Sequence, residues 1–158
     1  AYLEQMYASG SIAVSAQANR VPVEHGHTAC LAVALERRTT PDEAIEAIAG
    51  WRGAIAHLGL PTAPERAVAV ADSADRPQPR RDAAAGAGMT VTVGRVRADP
   101  ILDLRLVASG HNTLRGAAGA SLLNAELLVA SGLVEGCSAP RPARDASPRA
   151  PGVALPAP

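Results

Sequence analysis

The run MTVTVGRVR at 89–97 constrains this chain more than any other feature. Its alternating Val and Thr side chains are β-branched, which favours an extended backbone and sends successive residues to opposite faces. A strand of this kind is stable only within a sheet, so partners must exist elsewhere in the chain. LDLRLVAS (102–109) follows a turn signal at Asp99 and Pro100 and is expected to pair with it as a hairpin. SIAVSAQA (11–18), the apolar run over 28–35 and RAVAVA (66–71) read as further strands.

Helical signals fall between them. Residues 1–8 read as the last turns of a helix ended by Ser9 and Gly10. Thr40, Pro41 and Glu43 form a start signal for a helix reaching Gly50, because Thr caps free amides and Pro is tolerated in the first turn. A short apolar stretch at 54–58 precedes a Pro-, Ala- and Arg-rich excursion over 59–88. The last helix spans 113–131, with Leu114, Ala118, Leu122, Ala125 and Val129 on one expected stripe and Gly132 as its stop. The domain is expected over 1–137. The aperiodic Pro/Ala/Arg-rich stretch at 138–158 is expected to be a disordered tail.

Composition narrows the function classes. The 158 residues carry 15 cationic and 15 acidic side chains, and a net charge of +0 argues against a nucleic-acid partner. No apolar run approaches the roughly 18 residues of a membrane span, and the first ten residues offer no basic signal region, so no membrane partner and a cytoplasmic location are expected. Aromatics make up 2% of the chain, which disfavours base stacking and leaves a core of Ala, Val, Leu and Ile of modest stability, or one reliant on a partner surface. Cys30 and Cys137 match neither a disulfide framework nor a zinc spacing. Both read as reduced thiols, Cys30 as a small buried hydrophobe within ACLAVAL, and no metal is expected.

Three segments can carry chemistry. The loop 19–28 holds Arg20, Glu24, His25 and His27 around Pro22 and Gly26. Arg20 and His27 are seven positions apart, roughly 23 Å in an extended chain, so they meet only if the chain folds back. Pro22 and Gly26 permit that reversal. Two readings stand: exposed loop charges with a hydrogen-bonded histidine, or a guanidinium fork for a carboxylate beside a proton-shuttling imidazole. In the second segment, His111, Asn112 and Thr113 precede Gly116 and Gly119. Asn112 reads as an N-cap, and the small residues admit either close helix packing or a flat ligand. The third is DRPQPRRDAAAGAG (75–88), with Arg76, Arg80 and Arg81 among prolines: a solvated connector, or a flap against a substrate or second subunit.

Together SIAVSAQANRVPVEHGHT (11–28), DRPQPRRDAAAGAGMTVTVGRVRADP (75–100) and GHNTLRGAAGASLLNAELL (110–128) resemble the C-terminal part of aspartate-semialdehyde dehydrogenases of the archaeal and fungal type. The resemblance runs from residue 9 to about 134. It implies an α/β (α+β) fold, a largely antiparallel mixed sheet with helices packed on one face, like the C-terminal domain of glyceraldehyde-3-phosphate dehydrogenases. It also implies NADPH-dependent reduction of aspartyl phosphate to aspartate semialdehyde through a cysteine thioester, with phosphate as a small-molecule partner and a homodimer or higher homo-oligomer as the assembly. By the same resemblance His27 is the acid/base, Arg20 binds the substrate carboxylate, and Asn112 with Thr113 lies at the NADP nicotinamide. The family's nucleophilic cysteine and dinucleotide-binding domain lie upstream of the resembling region, and Cys30 follows His27 instead of preceding it. This chain by itself is therefore expected to be inactive. The alternatives are a non-catalytic dimerisation module or pseudoenzyme, and part of a malonyl-CoA reductase, a family that shares much of the pattern.

Overall fold

The structure is a computed structural model that describes residues 18–53, 55–134 and 136. The helix expected over 1–8, the strand over 11–17, Cys137, the 138–158 tail and the domain limit at 137 lie outside the described residues.

The described residues form a four-stranded sheet of β1 (His27–Val33), β2 (Val68–Ala71), β3 (Val91–Ala98) and β4 (Leu104–Gly110), in the order β1-β4-β3-β2. β3 and β4 are the expected antiparallel hairpin. Asp99 closes it by accepting the Ile101 and Leu102 amides at 2.9 Å each, which also holds its carboxyl below the usual carboxylate range. β1 runs antiparallel to β4, while β2 is parallel to β3. Parallel neighbours need a long crossover, and residues 72–90 provide it. The 59–88 stretch is therefore built into the fold and is no loose excursion.

Helix α1 (Pro41–Gly50) starts as its sequence dictates: Thr40 accepts the Glu43 amide, and the Glu43 carboxylate accepts the Thr40 amide in return. The helix lies over the sheet face that carries Val68 and Val93, with Ala47, Ile48 and Trp51 opposite them. On the other face Gly94 meets the crossover. A Cβ on Gly94 would come within 2.6 Å of the Arg76 carbonyl, so the two backbones touch there. The crossover includes a single helical turn, α2 (Pro79–Asp82). Buried Asp82 receives the Arg76 guanidinium on both carboxylate oxygens, through Nε at 2.8 Å and through Nη2, and accepts the Gln78 amide at 2.6 Å.

The closing helix differs from its expected stripe. Residues Leu114–Ala118 form a π-helical turn before α3 (Gly119–Ala130). One extra residue in a turn rotates everything after it by about 100°. Leu122, expected inside, is 60% exposed, and Leu123 replaces it in a cluster with Leu60 and Met89. Leu114, Ala118 and Ala125 are exposed as well. Gly119 is buried where a side chain would collide with Met89, so close packing is the role of that glycine. Glu126 pins the cluster by accepting both the Thr62 amide, at 2.9 Å, and the Thr62 hydroxyl.

Cys30 corrects a second expectation. It is an exposed free thiol: among the described residues β1 is the outermost strand, and six of its seven residues have no cover on their side chains.

Candidate active site

The register His27↔Gly110 places the first residue of β1 beside the last residue of β4. The loop before β1 and the turn after β4 therefore emerge at the same sheet end. Two reversals shape that loop. The Val23 amide donates to the Val21 carbonyl at 2.9 Å, a three-residue turn centred on Pro22, whose ring fixes φ near the value such a turn requires. Gly26 then adopts φ +116°, a conformation that side chains disfavour. It is buried against Pro79 of α2, where a Cβ would lie 2.9 Å from the proline Cβ.

These turns bring Arg20 and His27 to one cleft of about 490 Å³, and Asn112 lines it from the opposite segment. Glu24 and Val23 complete much of the wall. The fold-back that the seven-residue separation demands is thus present. Asn112 is not the N-cap expected of it. Its Oδ1 accepts the Gly26 amide at 3.0 Å, a bond across 86 residues that ties the two halves of the cleft and leaves the carboxamide NH2 as a donor. The capping falls to His111, whose Nδ1 accepts the amides of Thr113 and Leu114 at 3.1 Å each. Thr113 is exposed and does not line the cleft.

Sequence reasoning assigned no separate role to His25 and His111, which stack with ring centroids 4.7 Å apart and planes at 24°. The signal was a histidine next to each of two cleft glycines or amides, at 25–26 and 111–112. Of the crossover arginines, Arg76 is consumed by Asp82 and Arg81 pairs with Asp75 at 3.1 Å. The segment thus acts as a buttress behind Gly26.

Replacing Gly26 by Ala forces a side chain both into a disfavoured φ and against Pro79. A loss of about 1–3 kcal/mol in unfolding free energy is expected. Urea titration measures it, and an unchanged midpoint would show that this turn is not what holds the cleft.

A mixed sheet whose end gathers an arginine, a histidine and a carboxamide around one cleft defines the class as an α/β domain. Residues 4–115 match the family described as semialdehyde dehydrogenase, dimerisation domain, and the chain belongs to that family. Its curated relatives are aspartate-semialdehyde dehydrogenases: that of Archaeoglobus fulgidus is 48% identical over 75% of this chain and 33% of its own length. That of Methanothermobacter thermautotrophicus is 50% identical over 75% and 35%. Among solved structures, the Candida albicans aspartate semialdehyde dehydrogenase with NADP superposes with a TM-score of 0.66 at 39% identity, covering 73% of this chain and 33% of that one. The chain spans about a third of the length of the curated relatives it matches. The expected fold class holds, and the relatedness favours the dehydrogenase reading over a non-catalytic module. No helix among the described residues is long and apolar enough to cross a membrane.

Proposed function

We propose that this chain is the catalytic and dimerisation portion of an NADP-dependent aspartate-semialdehyde dehydrogenase of the cytoplasm. The observation that carries the reading is the cleft shared by Arg20, His27 and Asn112, brought together from two segments far apart in the sequence. Arg20 offers a planar fork that grips both oxygens of the substrate carboxylate. His27 takes the proton of an attacking thiol and returns one to the departing group, a task suited to an imidazole near neutral pH. The nucleophilic sulfur comes from another part of the whole protein, and the isolated domain does not turn over substrate.

We assign one end of a dinucleotide to this cleft. With its oxygen committed to Gly26, the Asn112 carboxamide presents its NH2 group to an amide such as that of a nicotinamide, and Thr113 sits just outside. NADPH, when bound there, supplies the hydride. The exposed β1 edge, with Leu31 42% accessible, is the surface we assign to a second copy of the chain.

Arg20→Lys in the whole enzyme tests the carboxylate assignment. A point charge replaces a fork, so the Michaelis constant for aspartyl phosphate is expected to rise about tenfold or more, with a smaller change in turnover. An unaltered Michaelis constant would remove Arg20 from the site. Parallel assays with a CoA thioester decide between acyl phosphate and thioester substrates.

A further inference from the structure

We propose that His111 is a positioning residue that latches the cleft shut from outside, a role that rests on the cleft being the ligand site. It does not line the cleft. Its effect is transmitted through the bond between Asn112 Oδ1 and the Gly26 amide, the link between the cleft's two walls.

His111 grips both sides of that link. Through its own backbone and side chain it fixes the turn that presents Asn112: Nδ1 accepts the Thr113 and Leu114 amides, and the His111 carbonyl accepts the Gly116 amide at 3.0 Å. Through its ring face it holds His25, the residue directly before Gly26. Asn112 and Gly26 are thus each flanked by one member of the stacked imidazole pair. A rotation of either segment would break the stack and the Asn112 bond together.

The arrangement sets a requirement on the ring. Nδ1 must carry a lone pair to accept two amides, so the proton sits on Nε2. Asparagine is the substitution that separates the two functions, since its Oδ1 reaches the place of Nδ1 and keeps the cap. Alanine keeps neither cap nor stack.

The test uses amide hydrogen exchange on the isotope-labelled chain and turnover of the whole enzyme. In His111→Ala the Gly26 amide is expected to exchange about tenfold faster, as a locally opened bond does. Turnover is expected to fall about tenfold as Asn112 and His27 lose their spacing, with a smaller change in the Michaelis constant. His111→Asn, with the cap but not the stack, is expected to fall between His111→Ala and the native chain in both. Nitrogen-15 spectra of the native chain should show His111 protonated at Nε2 alone. Unchanged Gly26 exchange in His111→Ala, a protonated Nδ1, or faster exchange with normal turnover would each overturn the proposal. If His111→Ala fails to fold, His25→Ala decides, because it removes the stack and leaves the cap: faster Gly26 exchange supports the latch, and native protection overturns it. The exchange arm needs no substrate, so an inactive parent enzyme would count against the proposed function and leave the latch to be judged by exchange alone.

Discussion

Under the proposed function, replacing His27 by alanine in the whole protein is expected to lower turnover by about 10²- to 10⁴-fold, the usual contribution of the acid/base role we assign to it. The size of the loss follows from what else, among the described residues, faces the cleft. Glu24 lines it, but a carboxylate is by nature a much weaker base than an imidazole and takes a thiol proton poorly. Arg20 carries a guanidinium, which donates hydrogen bonds and has no lone pair to take a proton. His25 has its ring face against His111 and does not line the cleft, so it is no substitute. The variant should keep its oligomeric state, because His27 starts β1 at the sheet end and its backbone pairing with Gly110 survives the change. Steady-state rates together with light scattering check both parts. Undiminished turnover would strike His27 from the mechanism.

Local chemistry was legible and long-range geometry was not. The start of α1 could be written from Thr40, Pro41 and Glu43 because a capping box involves only neighbours in the chain. The β3–β4 hairpin followed from alternation on both sides of Asp99 for the same reason. The stripe on α3 failed because the π-helical turn at Leu114–Ala118 changes the phase, and nothing in the apolar spacing announces one extra residue. Cys30 was misplaced because apolar content signals burial somewhere, and in β1 that cover is not supplied by the described chain. At the site, Pro22 and Gly26 showed only that the loop is able to turn back, and the family likeness named Arg20, His27 and Asn112. What Asn112 does with its oxygen depends on where Gly26 arrives, a contact 86 residues away that no local rule reaches.

The second large effect concerns the support behind the cleft. Gly26 rests on Pro79, and Pro79 opens a turn whose position is set by Asp82, which binds Arg76 and the Gln78 amide on either side of residue 77. Asp82 is only 2% exposed, and removing it leaves a half-buried guanidinium and a backbone amide without their acceptor. Asp82→Ala is therefore expected to cost about 3 kcal/mol in unfolding free energy, the scale of lost charge-assisted hydrogen bonds in a buried pair. The pH dependence has a definite sign. The Arg76 hydrogen bond first, and the Gln78 amide with it, hold the Asp82 carboxyl below the usual carboxylate range. A depressed folded-state value means that the stabilisation is complete above the unfolded value of about 3.9 and is lost as pH falls through the folded one. The stability gap between wild type and Asp82→Ala should thus be widest near neutrality and close in acid. Glu43 and Asp99 are shifted in the same direction and remain in the variant, so it keeps a shallower acid transition of its own. Urea unfolding of both proteins at a series of pH values from neutral downward measures the gap. A difference that stays constant into acid would show that Asp82 acts through packing and not through its charge.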